Sequence, residues 1–165
     1  MPASKELFQK YLNPVFVETG SHLGDGIQLA LDSGFKTIYS IELAPGYYDH
    51  CVKRFEDNHN VHIIFGDSRL VMDGLLSNIN EPITFWLDAH YFEYSICPLL
   101  QEIEAIGRHG IKTHTFMIDD VRDLSNYGLG LSVDVLKQKI ILINPSYIFT
   151  FEDGYVPNDI LIAEV

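Results

Sequence analysis

Short apolar runs alternate with longer stretches whose apolar residues recur at helical spacing along most of the chain. The short runs are bounded by turn-forming residues, which is typical of buried strands. These predicted strands cover residues 15–18, 37–42, 61–65, 83–87 and 113–118. The predicted helices cover residues 4–11, 26–33, 45–57, 70–77, 98–108 and 132–139. Because strands that alternate with helices form βα units, the pattern predicts an α/β fold whose sheet is mostly parallel, with helices on both faces.

The end of the chain follows a different pattern. Two strand-like runs, residues 147–151 and 160–163, are joined by a loop that contains Gly154 and Pro157, with no helical stretch between them. Neighbouring strands joined by a loop pair antiparallel, so a hairpin is expected at this end of the sheet. The chain has 165 residues, of which 47% are hydrophobic, and this fits one domain over residues 1–165.

The first predicted strand leads into a glycine-rich turn. Residues 15–26 read VFVETGSHLGDG, and the next strand closes with Glu42, about 20 residues further on. A strand, a glycine turn, a helix and a strand ending in an acid form the βαβ unit that binds a ribose. The spacing of Gly20, Gly24 and Gly26 differs from the G-x-G-x-x-G of dinucleotide sites. The turn therefore predicts a nucleotide-like ligand that is not a dinucleotide.

Acidic residues recur where the predicted strands end. Because the carboxyl ends of parallel strands share one edge of the sheet, where ligands bind, these acids are expected to meet there. A carboxylate beside an apolar sheet is costly unless something pairs with it, and ligand hydroxyls, amines and metal ions are suitable partners. The acids in question are Glu18, Glu42, Asp67, Asp88, Asp119 and Asp120.

Simpler interpretations of some of these residues stay open. The Asp119-Asp120 pair also fits a helix N-cap and turn, where aspartate is favoured. His90 fits an ordinary polar residue at a strand end as well as a base. His22 lies within the glycine turn, where it could line the ligand site.

The segment ETGSHLGDG resembles motif I of the class I S-adenosylmethionine-dependent methyltransferases. Glu42 falls where that superfamily has the acid that binds both ribose hydroxyls. Gly66-Asp67-Ser68 resembles its third-strand element, in which the acid and its neighbour contact the adenine. The resemblance implies a Rossmann-like three-layer α/β/α sandwich, with a seven-stranded sheet of order 3-2-1-4-5-7-6 and an antiparallel C-terminal strand.

The same resemblance implies S-adenosyl-L-methionine as the cofactor, with Glu18 near its charged methionine end. The cofactor-binding residues that it implies are Glu18, Thr19, Gly20, Ser21, His22, Gly24, Asp25, Glu42, Gly66, Asp67, Ser68 and Asp88.

A narrower resemblance concerns the macrocin O-methyltransferase (TylF-like) group. The E-T-G-x-x-x-G turn, the Asp after the fourth strand and the Ile-Asp-Asp after the fifth are similar to that group. This resemblance implies Mg²⁺ held by Asp88, Asp119 and Asp120, and methylation of a sugar or similar hydroxyl. Hard oxygen ligands suit Mg²⁺, which lowers the pKa of a bound hydroxyl. Asp88 or His90 would accept the proton as the catalytic base.

The chain departs from the TylF-like group in two respects. The group has another acid shortly after the strand-4 aspartate, where this chain has Ala89-His90-Tyr91. Its members also have a longer N-terminal segment that covers the site. Either the acceptor site is open, or a second subunit of a homodimer covers it.

Charge and composition restrict the partners. The formal net charge is −12, from 23 acids and 11 bases, and this sign repels phosphate backbones. No apolar run is long enough to span a membrane, and the N-terminus does not read as a secretory signal. Cys51 and Cys97 have no motif around them, which favours free thiols in a reducing setting. The expectation is a cytoplasmic protein with a small-molecule acceptor, no nucleic-acid partner and no membrane association.

Two other functions are alternatives to methyl transfer. One is a catalytically inactive protein of methyltransferase fold that binds the cofactor or an interaction partner. The other is a binuclear metal hydrolase, because Leu87-Asp88-Ala89-His90 resembles the D-A-H-x-D motif of arginase-like ureohydrolases. Phe92 stands where that motif has its second acid, so the hydrolase is disfavoured.

Overall fold

One sheet organises the computed structural model, which describes residues 3–89, 97–127 and 130–165. Its strands, in chain order, are β1 Val15–Thr19, β2 Thr37–Glu42, β3 Val61–Phe65, β4 Ile83–Leu87, β5 Thr115–Ile118, β6 Ile148–Glu152 and β7 Ile160–Glu164. The helices are α1 Lys5–Lys10, α2 Asp25–Ser33, α3 Pro45–Arg54, α4 Ser68–Leu76, α5 Leu99–Arg108 and α6 Val133–Ile143, and a 3₁₀ segment covers Val121–Tyr127.

The strand order is β3-β2-β1-β4-β5-β7-β6, as predicted. The pairs β1–β2, β1–β4, β2–β3 and β4–β5 are parallel. The last strand, β7, lies between β5 and β6 and is antiparallel to both. The predicted terminal hairpin is therefore confirmed, and its second strand is the one inserted into the sheet.

Helices cover both faces of the sheet because successive side chains of each strand point to opposite faces. In β1, Val15 and Val17 join a core formed with α4, α5 and α6, whereas Phe16 joins a core formed with α1, α2 and α3. The predicted three-layer sandwich is confirmed. The same alternation directs the next two residues, Glu18 and Thr19, toward different helical layers.

Element ends differ from the predictions where local contacts decide them. The helix predicted to reach residue 57 ends at Arg54, where the Phe55 N–H closes the last turn on Cys51 O. The helix predicted to begin at residue 98 begins at Leu99, with Pro98 as its N-cap and Cys97 before it; a proline favours a helix start because it has no N–H to donate. Both cysteines are free thiols.

The helices in the described ranges do not include one with the length and apolar character needed to cross a membrane.

Two histidines form a hydrogen-bonded chain at the amino edge of the sheet. The Ile83 N–H donates to Nδ1 of the buried His114 at 3.1 Å, so Nε2 carries the hydrogen of that ring. This Nε2 lies 2.8 Å from His109 Nδ1, and His109 Nε2 lies 2.8 Å from Ile79 O. The chain is satisfied only when both rings are neutral. Burial, together with His109, lowers the pKa of His114 to about 4.

We predict that His114 makes folding sensitive to acid. Because its pKa is lower in the folded protein than in the unfolded chain, the unfolded chain binds more protons between about pH 6.5 and pH 4. Its stabilising contribution is therefore complete above pH 6.5 and is lost as the pH falls through 4. Urea unfolding of the wild type and of His114→Phe should give free energies whose difference shrinks by about 3 kcal/mol over this range. A difference that does not change with pH would contradict the neutral pair; His59→Phe, at an exposed position, is the matched control.

Candidate cofactor and metal site

Main-chain hydrogen bonds hold the turns at the carboxyl edge of the sheet side by side. The Gly20 N–H donates to Ile41 O at 2.9 Å, and the Gly66 N–H donates to Glu42 O at 2.9 Å. The Asp88 N–H reaches Thr19 O at 3.3 Å, and the Asp119 N–H reaches Leu87 O at the same distance. The structure thus places the turns after β1, β3, β4 and β5 along one rim.

Two glycines of the turn after β1 lie against the protein itself. Gly20 has φ +88°, and a Cβ there would lie 3.0 Å from the carbonyl oxygen of Asp88. Gly24 has φ +85°, and a Cβ there would lie 2.6 Å from the Phe55 ring. Both positions need a left-handed backbone that favours glycine. The glycines therefore let the turn pack against the end of β4 and against α3, a role that the sequence analysis did not include.

Glu42 joins two of the turns. Its Oε2 accepts the His22 N–H at 2.8 Å, and its Oε1 accepts the Ala44 N–H at 2.7 Å. The residue is 7% exposed. Each carboxylate oxygen has a second lone pair, so the group keeps acceptor capacity after making these bonds.

Glu18 lies buried beneath the glycine turn, with 2% exposure. Its Oε2 accepts a 2.5 Å hydrogen bond from Ser40 Oγ, which lies 2.6 Å from Ser21 Oγ. Burial, with the nearby charge of Glu42, raises the pKa of Glu18 to about 8. The structure thus holds a carboxyl group under the turn as part of a hydroxyl network.

Two predicted cofactor residues are engaged with arginines. Asp25, at the start of α2, forms a 2.8 Å ion pair with Arg54, and its side chain is 66% exposed. Asp67 caps α4 by accepting the Arg69 N–H at 3.0 Å, and its carboxylate also pairs with the Arg69 guanidinium. The hydrogen bonds to Arg69 hold the pKa of Asp67 below its usual value.

His22 stands at the outer rim of the turn. Its φ is +47°, and its ring centroid lies 4.4 Å from that of Tyr47. His90, the second predicted catalytic residue, lies outside the described residues, so its role as a base stays a prediction.

Glu102 is a buried acid that the sequence analysis missed. It lies on α5 with 0% exposure, and its Oε1 accepts a 2.6 Å hydrogen bond from Ser68 Oγ. The signal was present in the sequence, because Glu102 falls on the same helical face as Leu99, Ile103 and Ile106. An acid on an apolar helical face marks a buried polar site.

Three aspartates converge beyond the ends of β4 and β5. Asp88, Asp119 and Asp120 each contribute one carboxylate oxygen to a cluster whose atoms lie within 4.8 Å of one another. Burial and the charge of Asp120 raise the pKa of Asp119 to about 7. Burial and the charges of the two neighbouring aspartates raise the pKa of Asp88 well above its usual value.

This cluster fits a hard divalent cation, because it brings carboxylate oxygens together with more negative charge than its surroundings neutralise. Asp119 Oδ1 also accepts the Asp120 N–H at 2.9 Å, a bond between adjacent residues that is not an N-cap. The expected turn is present, because the Asp123 N–H donates to Asp120 O at 2.9 Å. Asp120 itself has φ +52°, a left-handed conformation that is uncommon for a residue other than glycine.

Arg122 connects the aspartate cluster to the terminal hairpin. Its Nη1 lies 2.7 Å from Asp120 Oδ1 and also pairs with Asp159, whose side chain is fully buried at the start of β7. Its Nε lies 3.3 Å from Asp123 Oδ2. One guanidinium therefore links the turn after β5 to the loop before β7.

Comparison with known proteins supplies one curated relative and no matching family model. The relative is the probable ribosomal RNA small subunit methyltransferase A of Methanococcoides burtonii, which is 30% identical over 125 residues. The match covers 65% of this chain and 46% of that protein, so the chain spans less than half of the relative's length.

Solved structures share the architecture over nearly the whole chain. An O-methyltransferase from Bacillus cereus in complex with SAH aligns with a TM-score of 0.69 at 14% identity, covering 98% of this chain and 78% of that one. The O-methyltransferase TomG from Streptomyces achromogenes, in complex with SAM, aligns with a TM-score of 0.66 at 12% identity, covering 98% and 77%. The chain therefore has the same Rossmann-like fold as these O-methyltransferases.

We predict that Glu18 makes the ligand-free protein less stable at alkaline pH. Because its pKa is higher in the folded protein, the folded state keeps a proton that the unfolded chain loses above about pH 4.5. The stabilising contribution is complete below pH 4.5 and is lost as the pH rises through 8. In urea unfolding, Glu18→Gln should gain about 3–5 kcal/mol over the wild type between pH 5 and pH 9. Glu81→Gln, at an exposed position, is the control, and parallel pH profiles for Glu18→Gln and wild type would refute the prediction.

Proposed function

We propose that this chain is an S-adenosyl-L-methionine-dependent methyltransferase that methylates a hydroxyl group of a sugar or similar small molecule. The observation that carries the proposal is the position of Glu42. Its carboxylate joins the turns after β1 and β2 at the rim and keeps acceptor capacity. The fold shared with O-methyltransferases solved with SAH and SAM supports the same assignment.

The residues at the rim suit the parts of such a cofactor. The acceptor positions left on Glu42 suit a ribose, whose two hydroxyls are donors. Gly66, Asp67 and Ser68 form the turn after β3, next to Glu42, where the adenine end would lie. Glu18 places a carboxyl group beneath the glycine turn, and a ligand that carries positive charge would favour its ionised form. When bound, S-adenosyl-L-methionine supplies the electrophilic methyl group.

A divalent cation at Asp88, Asp119 and Asp120 is the second part of the proposal. The cluster of three oxygens and the raised pKa of Asp119 support it, because a bound cation would neutralise this charge. A cation held there would lower the pKa of an acceptor hydroxyl. Asp88, at the same cluster, would accept the proton that the hydroxyl loses.

The negative charge of the chain bears on the nature of the acceptor. The curated relative is named as a ribosomal RNA methyltransferase. This chain carries 23 acids against 11 bases, and its rim collects several of the acids, so a phosphate backbone would be repelled. A small neutral or cationic acceptor fits better. A methyl-transfer assay with sugars, phenols and RNA fragments in parallel would refute this choice if only the RNA were methylated.

Glu42→Ala should weaken binding of S-adenosyl-homocysteine by about 1–3 kcal/mol, because the ribose loses hydrogen bonds to a charged group. Isothermal titration calorimetry of the folded variant measures this directly. Glu56→Ala, at an exposed position just after the end of α3, should bind like the wild type. If the wild type binds neither the cofactor nor its demethylated product, the methyltransferase proposal fails. If the wild type binds but transfers no methyl group to any acceptor, the inactive cofactor-binding protein is favoured instead.

Mg²⁺ should raise the thermal unfolding temperature of the chelator-treated wild type, since ligand binding to the folded state alone stabilises it. Asp119→Asn should abolish this rise, because the cluster loses a charged ligand, while S-adenosyl-homocysteine affinity stays within about twofold of the wild type. Asp57→Asn, an exposed control, should respond to Mg²⁺ as the wild type does. An equal response in Asp119→Asn would refute the metal assignment.

A further inference from the structure

Glu102 is a buried acid that forms no ion pair with a basic side chain in the part of the chain that the structure describes. It is 0% exposed, and burial raises its pKa to about 7. Charged groups near it are Asp67, which adds to the rise, and the exposed Arg69, which opposes it; the thiol of Cys97 also lies nearby. A buried carboxyl in such surroundings costs free energy that an apolar residue would not. The stability of the fold therefore does not explain why a carboxyl group lies on this apolar helical face.

The contacts of Glu102 lead to two turns of the candidate cofactor site. Oε1 accepts the 2.6 Å hydrogen bond from Ser68 Oγ, at the first residue of α4. Oε2 and Thr19 Oγ1 are both buried without a hydrogen-bond partner among the described residues. Thr19 lies close enough to affect the pKa of Glu102, although the two groups do not reach hydrogen-bond geometry. One carboxyl group thus stands between the end of β1 and the start of α4.

Glu102 and Glu18 lie in different helical layers, on opposite faces of the sheet. Thr19 points toward the layer of α4, α5 and α6, so Glu102 supports the rim from the layer opposite Glu18. Ser68 directly follows Gly66 and Asp67, the turn that carries the proposed adenine end of the site. Anything that holds the Ser68 side chain at one position also holds the first turn of α4, because a buried hydroxyl bonded to a buried carboxyl has little freedom to move.

We propose that Glu102 is a positioning residue for the adenine end of the cofactor, acting through its hydrogen bond to Ser68. This inference rests on the proposed function. Glu102 is not expected to touch the cofactor itself. Its contribution is to fix the turn that discriminates adenine from other bases, in the way that outer residues orient the groups that contact a ligand.

The experiment compares the binding of S-adenosyl-homocysteine and S-inosyl-homocysteine by calorimetry. The two ligands differ only at the purine, so their affinity ratio reports on the adenine end. The variants are Glu102→Leu, Glu102→Gln and Ser68→Ala. The control is Glu104→Gln, on the same helix but exposed and paired with Lys139.

The wild type and the control should prefer the adenine ligand, and Glu102→Leu should lose that preference by about tenfold, the scale of one hydrogen bond. Glu102→Gln, which can still accept from Ser68, should restore it to within about twofold. Ser68→Ala should lose as much of the adenine preference as Glu102→Leu does. The variant that combines Ser68→Ala with Glu102→Leu should lose no more, because the two residues act through one contact.

The results distinguish a failure of the proposed function from a failure of the inference about Glu102. If the wild type binds neither ligand, the proposed function fails. If the wild type discriminates and Glu102→Leu weakens both ligands equally, Glu102 has only a structural role and the inference is overturned. Circular dichroism and thermal unfolding measure whether each variant is folded. If Glu102→Leu does not fold, Ser68→Ala and Glu102→Gln decide, because unchanged discrimination in Ser68→Ala also overturns the inference.

Discussion

The two hydrogen bonds of the Glu42 carboxylate, to the His22 N–H and the Ala44 N–H, join the turns after β1 and β2, on which the candidate cofactor site depends. Parallel strands deliver their turns to one edge, but they do not fix how the loops meet. Here a single side chain at the end of β2 ties its own turn to the glycine turn of the neighbouring strand. The left-handed Gly20 and Gly24 then allow the glycine turn to lie against β4 and α3.

The same edge gathers acids that are expensive to bury. Glu18, Glu102 and Asp119 all have pKa values raised by burial, and none has a basic side chain hydrogen-bonded to it among the described residues. A protein selected for stability alone would replace such groups with apolar or amide side chains. Glu18 and Asp119 stand at strand ends, where ligands bind in this fold, and Glu102 lies on α5 beside the same rim. We infer that binding, rather than stability, explains these acids.

The sequence predicts the sheet well because its signals are local and repeated. The apolar runs, Gly34 as a left-handed C-cap and Pro45 at the start of α3 each mark an element end without help from distant contacts. The acids at strand ends were predictable for the same reason, since the strand order brings them to one edge.

The side-chain contacts of the candidate site could not be predicted in the same way, because they depend on how the folded chain packs. The engagement of Asp67 by Arg69, the burial of Glu18 under Ser40 and the Ser68–Glu102 contact are outcomes of packing. Residues 34 apart, such as Ser68 and Glu102, share no local pattern. Only the position of Glu102 on an apolar helical face hinted that it is buried, and that hint does not name its partner.

The pairing of Arg122 with Asp159 has a consequence for the aspartate cluster. Asp159 stands at the entrance of β7, which inserts between β5 and β6. Until β7 is paired, Arg122 cannot form its ion pair with the buried Asp159. The guanidinium that contacts Asp120 is then not anchored to the hairpin. The third aspartate of the cluster therefore reaches its final environment only when β7 is paired with β5 and β6, so the geometry of the cluster depends on the terminal hairpin.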